Sequence, residues 1–598
     1  MLKNMAPVCR FVPQMVYICK KISRFTGLCL SNRTMKRIVE CVPNFSEGRN
    51  RDVIDSIVKS ISEVEGVKVL DVDPGEATNR TVVTFVGEPE AVTEAAFRSV
   101  RRAAELIDMS HHHGAHPRIG ATDVLPLIPV SGITLEECAD LARKLAERIA
   151  TELEVPTYCY EAAAFTPERK NLAVVRKGEY EGLAERADKP GEAPDFGARP
   201  FDAHMARTGA TVVGARDFLI AVNFNLNTTS TRRANAIAFD VREKGRPMRQ
   251  GPKVTDAPVL DADGKPVMIP GTLKGTKAIG WYIDEYGIAQ VSMNITDIAA
   301  TPLHKAFDEV CRAAEARGVR VTGTEIVGLV PRRTLIEAGK HYLRKQQRSC
   351  GISDDEIIRI AVKSMGLDDL KPFVVNEKVI ENLIASDTGS QLTDLTCTEF
   401  AQETASESPA PGGGSISAYM GALAAALGTM VANLSAHKPG WDDRWEDFSR
   451  AAEEGQVLLK SLLGLVDEDT AAFNRIMDAF KLPKATVEEK EARSKAIQDA
   501  TLYATEVPLR TMKAAHATFP LLGLMAETGN PASVSDAGVG ALAARSAVLG
   551  AYLNVRINAA GLKNREVAET LLKEAAGIAA DAEEAERRVL DIVNSKID

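Results

Sequence analysis

The chain has 598 residues, a formal net charge of −9, and 26% charged and 45% hydrophobic residues. It is too long for one hydrophobic core, so we expect three or more compact units. Its acidic balance argues against a general nucleic-acid binder, which carries a basic surplus on one face. The nine cysteines are scattered and form no Cys-x-x-Cys pair, a pattern typical of reduced thiols in a cytosolic protein.

Residues 1–35 differ in composition from the rest of the chain. The first 34 residues contain Lys and Arg but no Asp or Glu, and Pro13 interrupts their apolar run. No small-residue cleavage site follows. We therefore expect a disordered extension, and a targeting segment is the alternative.

Residues 36–330 mix predicted strands and helices. Apolar spacing predicts helices over 51–64, 91–107 and 136–153, and strands over 67–72 and 81–86 with a turn at Asp73-Pro74-Gly75. Residues 124–130 read as a strand that two prolines place at an edge or bend, and 186–207 as a long loop. Beyond residue 215 we expect a strand over 218–224, a helix over 232–243, a surface loop over 245–275 and a hairpin over 278–294. This pattern predicts two α/β (α+β) subdomains, 36–215 and 216–365.

Strand signals vanish in the last third of the chain. After a predicted linker over 366–392, Ala-rich and Glu/Lys-rich helical patterns dominate, which predicts an all-α helical-bundle domain of five or six helices over 393–598. Residues 412–436 carry no charge and are long enough to cross a bilayer. Because this stretch is mostly Ala, Gly, Ser and Met, we expect a closely packed bundle helix rather than a membrane span.

Four of the nine histidines lie within six residues, from His111 to His116. A metal site is one interpretation, but the segment lacks Cys and has no His-Glu-x-x-His spacing, so we expect no metal, and a hydrogen-bonded polar loop for His111 to His113. His116 differs because Pro117 restricts its backbone and Arg118 places a cation two positions on. A neutral imidazole beside an anion-binding arginine suits proton transfer on a carboxylate-bearing substrate.

A carboxylate interrupts an apolar helical face in the C-terminal part. The stripe runs at steps of three and four through Leu462, Val466, Asp469, Phe473, Ile476 and Phe480. Asp467 and Glu468 fall off the stripe, where we expect them to reach water. Burial raises the pKa of a carboxyl and suits it to general acid or base chemistry, whereas a structural Asp paired with another helix is the alternative.

Glycines precede the Ala-rich helix. Gly412, Gly413 and Gly414 followed by Ser415 would present free N–H groups at a helix N-terminus, which binds anions. A ligand carboxylate or amide edge fits there. A tight entry turn into a packed helix explains the same residues equally well.

Several segments together resemble the formimidoyltransferase-cyclodeaminase family. The first half carries Val42-Pro43-Asn44-Phe45-Ser46-Glu47-Gly48, Asn79-Arg80-Thr81-Val82 and His116-Pro117-Arg118-Ile119-Gly120-Ala121. The second half carries Pro411-Gly412-Gly413-Gly414-Ser415, Asp469 with Ala472-Phe473, and Tyr552-Leu553-Asn554-Val555. These motifs follow the family order from residue 36 to about 595.

The resemblance implies two reactions of histidine degradation. A formimidoyl group passes from N-formimino-L-glutamate to tetrahydrofolate, and 5-formiminotetrahydrofolate then closes to 5,10-methenyltetrahydrofolate with loss of ammonia. It also implies that His116 is the transferase base, that Asp73 orients it, and that Asp469 is the deaminase acid. The expected substrate-binding residues are Arg118, Asn44, Gly197, Ala198, Arg199, Pro200, Phe201, Gly209, Gly412, Gly413, Gly414 and Ser415.

The same resemblance implies a cytoplasmic, ring-shaped homo-oligomer built from dimers that uses polyglutamylated tetrahydrofolate and neither nucleic acid nor a membrane span. The basic cluster at residues 340–348 would meet the polyglutamate tail, unless it is a solvated helix face. Two alternatives stay open. The helical domain also resembles methenyltetrahydrofolate cyclohydrolases, and the whole chain could be a non-catalytic folate-binding scaffold.

Overall fold

The computed structural model describes residues 37–76, 79–114, 117–251, 256–385 and 391–597. The described chain divides into two compact units. The sheet-containing unit comprises residues 37–338 and 362–385, and the helical unit comprises residues 339–361 and 391–597. The predicted domain boundaries stay predictions, and the predicted extension lies outside the described residues.

A mixed seven-stranded sheet forms the first part of the sheet-containing unit. Its strands are β1 (Ile38–Cys41), β2 (Asn44–Phe45), β3 (Val67–Gly75), β4 (Arg80–Gly87), β5 (Thr122–Ser131), β6 (Thr157–Glu161) and β7 (Thr211–Ala215). They run in the order β1-β4-β2-β5-β7-β6, with β3 on β4 and β1 also on β5. Only the β5–β7 and β6–β7 pairs are parallel among these strands.

Three amphipathic helices cover one face of this sheet: α1 (Arg51–Ser62), α2 (Pro89–Leu106) and α3 (Leu135–Glu152). Their buried sides form one core with Phe45, Phe85 and Leu125. Asn50 caps α1, and Thr134 with Glu137 forms a capping box on α3. The three helices confirm the predicted positions to within two residues.

The opposite face of the sheet is partly polar. Cross-strand register places Asp73, Val82, Asn44, Val124, Val212 and Tyr158 in one row. Paired residues point to the same face, so Asn44 and Asp73 share a face with the small apolar cluster around Tyr158. Short helices lie in the segment 172–208: α4 (Leu172–Val175), α5 (Leu183–Arg186) and α6 (Ala203–Thr208).

Three local predictions were wrong in whole or in part. Asp73, Pro74 and Gly75 continue β3 instead of turning. Strand β5 is central, since it pairs with β1 and β2 on one side and β7 on the other, although its pairing with β1 shifts register next to Pro129. The segment predicted as a loop over 186–207 includes α6, whose first turn is capped by Asp202.

A second, antiparallel sheet follows in the order β11-β12-β8-β13. Its strands are β8 (Ile220–Leu226), β11 (Thr276–Ile283), β12 (Ile288–Ile295) and β13 (Val321–Val327), and β9 (Arg246–Pro247) pairs with β10 (Met268–Ile269). The helices of this region are α7 (Thr231–Val241), α8 (Leu303–Glu315), α11 (Val375–Lys378) and α12 (Ile380–Ala385). Two further helices, α9 (Arg332–Lys345) and α10 (Asp354–Met365), each belong partly to the sheet-containing unit and partly to the helical unit. The predicted hairpin is confirmed as β11–β12.

The helical unit contains no strand among its described residues. Its main helices are α13 (Cys397–Thr404), α14 (Gly413–Ala436), α15 (Trp445–Lys481), α16 (Val487–His516), α17 (Phe519–Thr528), α18 (Val534–Ala560) and α19 (Arg565–Ile597). Their shared core is rich in alanine. Small residues let backbones approach closely: a Cβ on Gly455 would lie 2.1 Å from Oγ1 of Thr429.

Two stretches, Gly413–Ala436 and Pro531–Ala560, are long and apolar enough to span a membrane by length and composition alone. The core helix of a soluble protein passes the same test, and 61% of the apolar window of α14 is buried. This burial favours the predicted bundle helix.

Candidate functional site

The sheet-containing unit carries a polar cluster beside the histidine-rich segment. His116 itself lies outside the described residues, so its predicted role stays a prediction. The chain is described up to Gly114 and again from Pro117. His111 is exposed, whereas His112 and Arg118 are buried.

Asn79 joins three parts of this cluster. Its side-chain carbonyl accepts a hydrogen bond from the Gly48 N–H at 3.0 Å, and its amide donates to the His113 carbonyl at 3.1 Å. Its own backbone carbonyl accepts from Nε2 of His112 at 3.0 Å. Asn79 adopts a left-handed backbone with φ of 48°, which Asn tolerates better than most residues.

Arg118 is already paired in this structure. Its guanidinium donates to both carboxylate oxygens of Glu181, at 2.6 and 2.8 Å, and lies 3.4 Å from Glu179. The three side chains line a cleft of about 490 Å³ together with His113, Gly114 and Gly178. Recognition of a substrate carboxylate by Arg118 stays a prediction. The Arg118 guanidinium would have to bind this carboxylate in addition to Glu181 or in its place.

Asn44 and Asp73 lie on the same face two strands apart, with Val82 between them. Asn44 donates to the Val42 carbonyl at 3.0 Å, while its buried Oδ1 has no hydrogen-bond partner among the described residues. A buried hydrogen-bond acceptor without a donor lowers the stability of the fold, because it has lost its hydrogen bond to water. It is therefore a candidate to receive an N–H or O–H of a ligand, in line with the predicted binding role.

The predicted folate-binding loop lies against the segment that follows Arg118. Gly197, Ala198 and Pro200 are exposed, Arg199 pairs with Asp202 at 3.2 Å, and Phe201 packs on the cluster around Tyr158. Gly209 has φ of 65°, and a Cβ there would lie 2.4 Å from the Cα of Gly120. Glycine is needed at this crossing because any side chain would separate the two segments.

The helical unit places Asp469 at the N-terminus of α14. The Ser415 hydroxyl lies 3.3 Å from Oδ2 of Asp469, and a Cβ on Gly414 would lie 2.2 Å from its Oδ1. Burial raises the pKa of the Asp469 carboxyl, while hydrogen bonds from the hydroxyl and backbone of Ser415 act in the opposite direction. The group that faces this helix N-terminus is therefore the carboxyl of Asp469 itself.

The stripe prediction holds on one side of Asp469 only. Leu462 and Val466 are buried, but Phe473 and Phe480 are 38% and 51% exposed. The two residues before Asp469 lie off the stripe and are half-buried, and both also bind other parts of the protein. Asp467 accepts hydrogen bonds from Leu392 and Thr393, and Glu468 accepts from Tyr503 and Arg510.

Sequence reasoning missed several polar residues of both clusters. Asp123 is buried and forms an ion pair with Arg176, and it accepts a hydrogen bond from the Ile119 N–H at 3.1 Å. In the helical unit, the Asn554 amide lies 3.6 Å from where a Cβ on Gly413 would be. The quoted motifs contained Asn554, but only the fold shows what Asn554 and Asp123 contact. The described residues include no group of three or more His, Cys, Asp or Glu that could hold a metal ion.

Two units of different fold class each carry a polar cluster of their own. Comparison with known proteins identifies the family. Residues 38–216 match the N-terminal subdomain of the formiminotransferase domain, residues 221–385 match the formiminotransferase domain, and residues 396–577 match the formiminotransferase-cyclodeaminase model. The chain is 42% identical to mouse formimidoyltransferase-cyclodeaminase over 525 residues, covering 88% of this chain and 93% of the mouse protein. The chain therefore belongs to the formimidoyltransferase-cyclodeaminase family.

Two shorter relatives match parts of the chain. Glutamate formimidoyltransferase of Streptococcus pyogenes is 41% identical and covers 52% of this chain and 94% of its own length. Methenyltetrahydrofolate cyclohydrolase of Methylorubrum extorquens is 40% identical and covers 34% of this chain and 97% of its own length. The resemblance inferred from motifs is confirmed.

Proposed function

We propose that this chain is a bifunctional enzyme of histidine degradation. It transfers the formimidoyl group of N-formimino-L-glutamate to tetrahydrofolate, and it then forms 5,10-methenyltetrahydrofolate with release of ammonia. Similarity to bifunctional relatives over most of the chain supports both activities. The observation that carries the second activity is a half-buried carboxyl of raised pKa, Asp469, at a site built from glycine and serine.

In the transferase reaction, N5 of tetrahydrofolate attacks the formimidoyl carbon. The bond from this carbon to the glutamate nitrogen then breaks. His116 would accept the proton from N5 and return one to the departing glutamate amine. Asn44, with an unpartnered buried oxygen, and Asp73 share the sheet face on which we place the substrates.

In the deaminase reaction, N10 attacks the carbon of the protonated formimino group, and the bond from this carbon to the amine then breaks. The Asp469 carboxyl would protonate the departing amine, and the proton lost by N10 restores the acid. A raised pKa keeps this carboxyl protonated to a higher pH than an ordinary aspartic acid. The first turn of α14 and the nearby Asn554 amide would contact the substrate.

The decisive experiment measures methenyltetrahydrofolate by its ultraviolet absorbance and ammonia by a coupled assay. Purified protein receives N-formimino-L-glutamate and tetrahydrofolate. We expect wild type to form both products, His116→Ala to form neither, and Asp469→Ala to stop at 5-formiminotetrahydrofolate. His116→Ala should still release ammonia when it is given 5-formiminotetrahydrofolate directly.

Hydrolysis by the helical unit is the second candidate function, favoured by the similarity to a cyclohydrolase. The same assay separates the two. Wild type that transfers the group but releases no ammonia, and instead hydrolyses added methenyltetrahydrofolate, would support the cyclohydrolase. Stoichiometric folate binding without turnover would support a scaffold.

We also propose a cytoplasmic homo-oligomer, built from dimers, that prefers polyglutamylated tetrahydrofolate. The basic cluster at 340–348 is the candidate contact for the tail. Lys340 and Arg344 already face Glu453, at 2.9 and 3.6 Å, which reduces the free positive charge. An Arg344→Ala, Lys345→Ala double variant with unchanged preference for polyglutamates would refute this contact.

A further inference from the structure

A chain of buried polar groups connects the two sides of the histidine-rich segment. It runs from the Gly48 N–H through Asn79 and His112 to Arg118 and ends at Glu181. Asn79, His112 and Arg118 are each at least 91% buried. None of the three belongs to the proton-transfer steps described above.

The hydrogen bonds fix the protonation of His112. Its Nε2 lies 3.0 Å from the Asn79 carbonyl oxygen, which can only accept, so Nε2 must carry a hydrogen. Its Nδ1 lies 3.4 Å from Nε of Arg118, which can only donate, so Nδ1 must be unprotonated and accept this hydrogen bond. Only the neutral imidazole with hydrogen on Nε2 satisfies both partners.

The same chain holds the main chain on both sides of His116. Asn79 donates to the His113 carbonyl, and Arg118 donates to the His112 carbonyl at 3.3 Å. The Arg118 carbonyl in turn accepts from the Tyr180 N–H at 2.9 Å. His113 and Arg118 flank the predicted base at sequence distances of three and two residues.

We propose that His112 is a positioning residue of the transferase: in its neutral form it links Asn79 to Arg118 and thereby holds the main chain at His113 and Arg118, on either side of the predicted base. This inference rests on the proposed function and deepens it. Protonation would put a hydrogen on Nδ1, facing the Arg118 Nε–H, and would break the link. The transferase then depends on two neutral histidines, one that accepts a proton and one that does not.

The charged groups around His112 have opposing effects on its pKa. Arg118 and His113 disfavour its cation, Glu47 favours it, and Glu179 and Glu181 act through their pairing with Arg118. Burial is the largest influence and lowers the pKa of His112. The link is therefore intact at neutral pH and breaks as the pH falls through this lowered value.

The test compares transferase kcat and its acid pH limb in four proteins. His112→Gln removes the titrating group but can still donate an N–H to the Asn79 carbonyl. Asn79→Asp keeps the acceptor for Gly48 but loses the donor to His113. His111→Gln is the matched control, because the His111 side chain is 84% exposed in the same loop. Ammonia release from added 5-formiminotetrahydrofolate reports separately on the helical unit.

We expect Asn79→Asp to lower transferase kcat on the order of 10- to 100-fold, with ammonia release unchanged. Wild type and His111→Gln should show an acid limb of log kcat/KM with a slope near two, for two histidines. His112→Gln should retain activity at neutral pH and show a slope near one. Equal slopes in wild type and His112→Gln, or an Asn79→Asp kcat within about twofold of wild type, would overturn the proposal. Wild type without any transfer would refute the proposed function instead.

Discussion

At the scale of single residues, Asp469 depends on the absence of a side chain at Gly414. A methyl group there would lie 2.2 Å from the carboxylate oxygen, far inside van der Waals contact. We therefore expect Gly414→Ala to displace the carboxyl and to lower ammonia release on the order of 100-fold. The measurement is kcat with 5-formiminotetrahydrofolate as substrate.

Gly412→Ala provides the matched control two positions earlier. A Cβ there would meet only the Pro409 carbonyl oxygen at 3.7 Å, an ordinary contact. This variant should keep ammonia release within about threefold of wild type, because no atom has to move. If the two alanine variants lose activity equally, glycine flexibility matters here rather than the space for Asp469.

The pKa of Asp469 is open to a second test through Ser415. The Ser415 hydroxyl stabilises the anion, so its removal in Ser415→Ala should raise the carboxyl pKa further. Because the proposed acid must be protonated, the alkaline limb of deaminase kcat should move to higher pH. Ser435→Ala, which removes a buried hydroxyl from the same helix, should leave the limb in place. A shift to lower pH in Ser415→Ala would contradict the assignment of Asp469 as the acid.

At the scale of elements, the sequence predicted the positions of helices better than it predicted which elements pack against them. The capped, amphipathic helices α1 to α3 are confirmed, since spacing and capping are local signals. The central place of β5 was missed because pairing partners come from distant parts of the chain. The stripe through Asp469 predicted burial correctly for Leu462 and Val466, where other helices cover α15. It failed for Phe473 and Phe480, which are exposed.

Helix packing in the helical unit gives two glycine-to-alanine substitutions opposite effects on stability. Alanine normally favours a helix over glycine by about 1 kcal/mol. Gly455→Ala should nevertheless destabilise the helical unit, because the new Cβ would lie 2.1 Å from Thr429 and 2.9 Å from Leu521. Gly577→Ala in α19, where a Cβ meets nothing within 4 Å, should instead stabilise it by roughly 0.5–1 kcal/mol.

The two glycine variants are compared by the urea concentration that halves ammonia release. Gly455→Ala should lower this midpoint and Gly577→Ala should raise it, while the midpoint for transferase activity reports on the other unit. Midpoints that move in the same direction would show that backbone entropy outweighs side-chain contacts at Gly455.

At the scale of the whole molecule, the change from mixed strands and helices to helices alone was readable from the sequence. Colinear motifs identified both halves, and the placement of Asp469 followed from one stripe. The pairing of Arg118 with Glu181 could not be foreseen, because 63 residues separate them and neither belongs to a periodic pattern. The chain through Asn79 and His112 depends likewise on loop geometry, which sequence spacing does not encode.

Stability of the sheet-containing unit should depend on pH through Glu40. This carboxyl is buried in β1, and burial together with Glu381 raises its pKa to about 7 against the opposing effect of Arg216. The raised value means that the folded state favours the protonated acid. The contribution of protonated Glu40 to the free energy of unfolding is complete below the unfolded pKa near 4.5. This contribution is lost as the pH rises through about 7. The loss is on the order of 3 kcal/mol at most.

Glu40→Gln removes this titration and keeps the shape of the side chain. We expect it to match wild type at pH 5 and to be more stable than wild type at pH 8, measured as the urea midpoint for transferase activity. Glu136→Gln, an exposed substitution in the same unit, should follow wild type at both pH values. A Glu40→Gln protein that is less stable than wild type at pH 8 would mean that the charged carboxylate and Arg216 stabilise the fold. In that case the charge attraction to Arg216, and not burial, would govern the protonation of Glu40.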